Sequence, residues 1–190
     1  MNSGIIAGVV VLVVLVVGLK LLGIYNRLVR ERNGCDNAFS TIDVQLKMRC
    51  DLIPKLVDAV RGYMTHERGT LETLTELRAR ASAPGLPAGE RVALDAQMAG
   101  LVQGVFARVE AYPDLKSSQT VLMLQRSLNE VEAQIAAARR AYNAAVTVYN
   151  TSTETVPSNM VAGAFGFNRR PLFEAATADR TVPAVANLAS

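Results

Sequence analysis

The chain has one histidine, His66, and two cysteines, Cys35 and Cys50, among 190 residues. That inventory removes most metal and thiol chemistry. "THERGT", residues 65 to 70, starts like the HExxH motif of zinc proteases, but position 70 is Thr70 and no further histidine exists to ligate. The cysteines form no CxxC, and on one helix they would lie ~22 Å apart, too far to bridge. They read as small core residues. Cys50, flanked by Arg49 and Asp51, has the setting for a lowered thiol pKa but no second partner in the sequence, so a thiol-dependent enzyme is the weakest reading. There is no serine elbow, GxGxxG or EF-hand, and "GAFG" at 163 to 166 lacks the preceding strand and following helix of a phosphate cradle.

Strong charge of one sign is also missing. Without Lys20, the chain beyond residue 24 has 19 basic and 17 acidic residues, a net +2 that is scattered. With no Arg-rich recognition helix and no strand pattern of interleaved aromatic and basic residues, nucleic acid is excluded as a partner. Strand-like alternation of useful length is absent before residue 150.

What the chain does have is a long apolar run at its start. Gly4 to Leu19 are sixteen residues without a charge, and after Lys20 the run resumes to Ile24, making 21. At ~1.5 Å each these reach ~31 Å, the thickness of a bilayer's hydrocarbon core. Lys20 can lay its methylenes in lipid and place its ammonium among headgroups. A cleaved secretory signal would want a basic leader, a shorter core and a small-x-small site, whereas Met1 to Ser3 hold no lysine or arginine and no Ala-x-Ala follows. The segment reads as a retained anchor. Lys20, Arg27, Arg30 and Arg32 lie on its C-terminal flank, so the positive-inside rule puts the N-terminus outside and the rest in the cytoplasm.

Past the anchor, Leu28, Cys35, Phe39, Ile42, Leu46, Ile53, Leu56 or Val57, Val60 and Met64 recur at steps of three, four and seven, the inner face of a long helix. Asp43 with Lys47 and Asp51 with Lys55 suggest i,i+4 pairs on a wet face. Pro54 predicts a kink or restart between Arg49 and Pro54. Thr65 is placed to cap a second helix from His66 to about Ser82, with Leu71, Leu74, Leu77 or the stem of Arg78, and Ala81 inward. "APGLPAGE" turns the chain. A third helix is expected from Ala88 to Ala111, with Leu94, Met98, Leu101, Val105 and Val109 inward, and "YPDL" stops it. Ser117 or Ser118 can cap the fourth, whose inward positions are Val121, Leu124, Leu128, Val131, Ile135, Ala138, Tyr142, Ala145 and Tyr149. Such sustained three-four spacing fits a coiled coil or, with several helices on short loops, an intramolecular antiparallel bundle.

"RRAYNAAVTVYN", residues 139 to 150, repeats Tyr-Asn after seven residues. The two rings fill core space, and the amides of Asn143 and Asn150 are free to bond carbonyls at the helix end or in the segment that follows. From Thr151 onward the pattern is irregular, with Phe165, Phe167, Leu172 and Phe173 expected to fasten onto the bundle and "TVPAVANLAS" to end it loosely.

These stretches resemble the LemA family of bacterial membrane-anchored proteins. The likeness is carried by "YNRLV" at 25 to 29, "NAFSTIDVQLKMRCDLIPKLVDAVRGYMTHE" at 37 to 67, "AAARRAYNAAVTVYN" at 136 to 150 and "VPSNMVAGAFGF" at 156 to 167. It implies one transmembrane helix and a bundle of long helices, with no established enzyme activity or cofactor, and a place near membrane proteases or envelope stress systems. Among the positions it carries over are Asp43, Pro54, His66, Arg139, Tyr142, Asn143, Tyr149, Asn150, Pro157 and Phe167; the resemblance implies a catalytic role for none of them. Phe39 stands where the family commonly has tryptophan.

The expectation is therefore an all-α protein in which residues 1–24 form a stub and transmembrane helix. Residues 25–150 form an antiparallel bundle of about four long helices, and 151–190 an irregular segment partly docked on it. Residues 4–24 meet the lipid bilayer of the bacterial cytoplasmic membrane in a single pass. Function is expected to be that of a non-enzymatic scaffold for membrane or membrane-proximal proteins, accessory to membrane protein quality control or envelope stress. No catalytic, cofactor or metal residue is assigned. The alternative is a small-ligand or signal-sensing module whose cleft, at the bundle end near Pro157 and Phe167, is lined by Arg139, Tyr142 and Asn143.

Overall fold

The computed structural model describes residues 2–173, and every regular element in them is helical. Helix α1 covers Asn2–Val60, α2 Arg68–Ala81, α3 Ala88–Val109, α4 Pro113–Lys116, α5 Gln119–Glu154 and α6 Ser158–Phe165, with a 3-10 turn over Thr65–Glu67. The all-α expectation holds. "TVPAVANLAS" lies outside the described residues. Two compact units divide the chain: one takes the described residues up to Ala38 and from Arg140 onward, the other Phe39–Arg139.

The Phe39–Arg139 unit is a bundle of helices, and side-chain pairs give the directions of α1, α2 and α3. Asp43 meets Arg91 and Arg49 meets Asp95, so α3 runs parallel to α1. Arg108 meets Glu67, and Arg80 meets Glu90, so α2 and α3 are antiparallel. Arg49 also reaches Glu132, which places α5 beside α1, where residues from Gln45 to Leu52 and from Ser127 to Gln134 line one cleft. Inside lie Ile53, Leu56, Val57 and Val60 of α1, Leu71, Leu74 and Leu77 of α2, Leu94, Met98 and Val105 of α3, and Val121 and Leu128 of α5. Three-four periodicity located nearly all of these. Val102 is buried where Leu101 was expected, a shift of one residue that the helix's 3.6-residue turn allows.

Several local expectations change. Helix α1 runs through Pro54 without a break. Proline cannot donate to the carbonyl of Cys50 four residues earlier, and Arg78 Nε of α2 donates to that same oxygen at 3.4 Å. A neighbouring helix thus satisfies the acceptor that proline leaves bare. Thr65 gives no side-chain cap; it opens the 3-10 turn, after Met64 has buried its side chain. Asp43 and Lys47 do not pair with each other: Lys47 bonds Asp51 at 3.1 Å, and Asp43 accepts from Arg91 at 2.9 Å. "YPDL" does more than stop α3, for Pro113 begins the short α4 at a position that needs no N–H, and Leu115 goes into the core.

The Pro54 arrangement is testable. Pro54→Ala supplies the missing donor and should stabilise the protein by about 1–3 kcal/mol. Arg78→Met, costing about 1 kcal/mol in the native background, should cost measurably less in the Pro54→Ala background. Denaturant unfolding of the four variants in detergent gives the cycle; additive costs would show that Arg78 does not serve that carbonyl.

Candidate functional site

The other unit pairs α1, as far as Ala38, with α5 from Arg140. They are antiparallel, since Arg27 Nη2 donates to Ser152 Oγ at 3.3 Å while Cys35 lies near Tyr142. Leu28, Cys35, Tyr142, Val146 and Tyr149 close the interior. Where an irregular tail was expected, Thr151 to Glu154 continue α5 and Ser158–Phe165 form α6. Gly166 then ends α6 with φ +71°, a left-handed conformation that glycine adopts without Cβ strain. The Phe167 N–H returns to Ala162 O at 2.9 Å, and the chain reverses. That reversal buries Phe167, whose ring meets Tyr25 edge-on at 5.6 Å and the Arg32 guanidinium at 5.4 Å.

Residues Phe167 to Phe173 have no regular structure, so their backbone groups need other partners. The repeated Tyr-Asn pair supplies them. Asn150 donates from Nδ2 to Arg170 O at 2.9 Å and accepts the Arg170 N–H on Oδ1 at 2.9 Å. Asn143 does the same for Phe173, at 3.0 Å and 2.8 Å. Tyr149 Oη donates to Asn168 O at 3.0 Å, and Tyr142 Oη to Pro171 O at 3.3 Å. Seven residues along a helix advance ~10.5 Å, and three residues of extended chain cover ~10 Å. The Tyr-Asn period therefore reads the tail at positions three apart. Burial raises both phenols above their usual pKa against the opposing pull of Arg170, which keeps them protonated as donors. Arg170 Nη1 also donates to Asp36 at 2.5 Å, and Phe173 sets its ring edge-on to Tyr142 at 5.0 Å. Of the other residues expected to dock, Leu172 stays exposed, and Phe165 is exposed although its ring edge meets Tyr25.

A second polar constellation, in the Phe39–Arg139 unit, escaped the sequence reading. Arg49 and Asp95, with 3% and 2% of their side chains exposed, pair at 2.8 Å. Arg49 also binds Glu132, and Arg139 approaches Asp95 at 3.5 Å. Desolvation raises the Asp95 carboxyl above the usual carboxylate range, opposed by Arg49 and Arg139. The signal was present. Arg49 falls between Leu46 and Ile53 at three-four spacing, and Asp95 sits three residues before Met98 in the same register.

Both cysteines are free and buried, and burial pushes both thiols up, opposite to the direction an activated nucleophile requires. His66 is exposed in the 3-10 turn, beside Glu67, which binds Arg108. Among the described residues no group of three or more His, Cys, Asp or Glu side chains is arranged to hold a metal ion.

The LemA family model matches residues 38–186. The chain belongs to the LemA family. Protein LemA of Metamycoplasma hominis is 30% identical over 159 residues, covering 84% of this chain and 73% of that protein. Magnetosome proteins MamQ 1 and MamQ 2 of Paramagnetospirillum magneticum are each 39% identical over 70 residues, which is 37% of this chain and 26% of theirs. Several LemA positions thereby acquire a physical task in this chain: Tyr142, Asn143, Tyr149 and Asn150 hold backbone, Phe167 plugs the reversal, and Arg139 pairs with Asp95.

Three outcomes follow for these residues. Asn150→Ala should speed hydrogen exchange of the Arg170 amide by roughly tenfold to a hundredfold, about 1–3 kcal/mol of lost protection, and Asn143→Ala should do so at Phe173. Unchanged exchange at both would mean the amides do not hold the tail. Arg49→Met should destabilise by about 3–5 kcal/mol at neutral pH, and adding Asp95→Leu should restore most of it, read from unfolding midpoints. Because its folded pKa is raised, Asp95 contributes stability that is complete below the ordinary aspartate range and lost as pH rises through the raised value. Asp95→Asn should flatten that part of the pH–stability profile.

Proposed function

We propose that the chain is a membrane-anchored, non-enzymatic scaffold, fixed by residues 4–24 in the bacterial cytoplasmic membrane with its N-terminus outside and its helical domain in the cytoplasm. The observation that carries this is the surface of α1 before Leu22. Ile6, Val9 to Val17, Leu19, Leu21 and Leu22 stand exposed around the whole circumference of the helix, with no polar face opposite an apolar one. Lipid satisfies such a helix; water does not. It is the one helix among the described residues long and apolar enough to cross a membrane by length and composition. Lys20, Arg27, Arg30 and Arg32 on its C-terminal flank support the orientation.

Several observations support a scaffold in preference to a catalyst or sensor. The side chains with chemical potential are engaged in holding the fold: Tyr142 and Asn143 in backbone bonds, Arg49, Asp95 and Arg139 in ion pairs, and the two thiols buried. The polar groups that a small ligand would need at Tyr142 and Asn143 are taken by Pro171 and Phe173. Partners on this reading are membrane or membrane-proximal proteins, with a role in membrane protein quality control or envelope stress, and neither nucleic acid nor a cofactor is involved.

A reporter active only in the cytoplasm, fused after Ser190, should be active, and a periplasm-dependent one silent; the reverse pattern overturns the orientation. Crosslinking in intact membranes should recover stable protein neighbours. Recovery of bulk membrane proteins alone, at the level given by a chain with a scrambled bundle surface, would refute the scaffold.

A further inference from the structure

Helix α6 presents an apolar surface that the tail clamp does not explain. Val156, Met160 and Phe165 are 79%, 72% and 65% exposed, although each is large and hydrophobic. From Val156 to Phe167 the sequence carries no charge, and Glu154 and Arg169, on either side, pair with each other at 2.8 Å. Scattered apolar residues on a surface need no explanation, but Met160 and Phe165 lie together beside a particular part of α1. The Phe165 ring meets Tyr25 edge-on at 5.0 Å. Between α6 and α1 opens a groove of about 650 Å³, lined by Gly18, Leu21, Leu22, Tyr25, Val161 and Phe165 among others, with no charged side chain in its walls.

The level of that groove along α1 decides what fills it. Gly18, Leu21 and Leu22 belong to the apolar run that ends at Ile24. Gly18 lies six residues inside that end, ~9 Å deep, which is the depth at which interfacial helices rest, ~5–10 Å into the boundary of headgroups and acyl chains. A water-soluble partner would have to enter hydrocarbon to reach the groove floor. The exposed face of α6 is continuous with the exposed surface of α1.

We propose that α6 is a second membrane-contacting element, lying in the leaflet on the side of the helical domain, and that a phospholipid acyl chain occupies the groove it forms with α1. Gly18 leaves the α1 wall low, and nothing lies within 4 Å of where its Cβ would stand. Lys20, on the same stretch of α1, has the reach to place its ammonium among the headgroups at this level. The chain would then leave the leaflet through the Gly166 turn, with Arg169 beyond it at the polar boundary. This rests on residues 4–24 spanning the bilayer, and the test separates the two.

The chain contains no tryptophan, so one introduced tryptophan is a clean probe. Full-length Met160→Trp and Phe165→Trp, with Leu12→Trp as anchor control and Met123→Trp as aqueous control, are reconstituted in phosphatidylcholine vesicles with or without brominated acyl chains. All four sites are exposed, so substitution leaves the core intact. Tryptophan at 12, 160 and 165 should be quenched by brominated lipid and shielded from aqueous iodide, and tryptophan at 123 should show the reverse. If 12 is quenched by brominated lipid while 160 and 165 respond to iodide, the proposal fails and the anchor stands. If 12 also responds to iodide, both fail. Shielding of 160 and 165 from both quenchers would mean that protein covers α6, and would overturn the proposal in favour of self-association.

Discussion

An asparagine side chain carries one acceptor and one amide donor group, so a single residue can satisfy both backbone groups of another. The unit containing Tyr25 and Tyr149 depends on that property. Its last described segment has no helix or sheet to absorb its peptide groups, and Asn143 and Asn150 absorb them at Phe173 and Arg170. Fixing those two residues sets the rest: Arg170 can meet Asp36, Phe173 can meet the ring of Tyr142, and Phe167 is drawn under Arg32. The bonds are to main chain, so the geometry they impose is indifferent to most side chains of the tail. Specificity enters through the two phenylalanines and Arg170.

The bundle was readable because burial in helices is periodic. Leu71, Leu74, Leu77 and Ala81, or Val121, Leu128 and Ile135, announce their inward face by spacing alone. Arg49 and Asp95 were missed because a hydrophobic pattern is searched with apolar residues, and a charge at a core position looks like a gap in it. A gap filled by opposite charges on two helices is better read as a pair awaiting its partner. Pro54 misled for a different reason. Its cost is set by the fate of one carbonyl, and the donor that rescues it sits 28 residues away on Arg78, where no local rule could find it.

The tail marks the limit more sharply. The sequence shows the Tyr-Asn repeat and allows the asparagines to bond the following segment, but which residues they bond depends on a reversal at Gly166. Helix α6 was hidden because eight residues are too few to display a helical period, and its uncharged composition resembles a loop of small residues. Chemistry, by contrast, was bounded early by what is scarce. One histidine and two cysteines without a CxxC leave no HExxH or paired-thiol motif, and the structure puts both thiols where ionisation is disfavoured.

The ion pair between Arg49 and Asp95 also governs which motions the Phe39–Arg139 unit can make. Apolar layers in a bundle are nearly interchangeable, and helices with only leucine and valine between them can ratchet by one turn, ~5.4 Å, at modest cost. Here such a step would bring the Arg49 guanidinium against Met98 or Arg91 and separate it from Asp95. Axial sliding of α3 on α1 therefore has to break a buried ion pair, whereas a small rotation or parting of the helices does not have to exchange its partners.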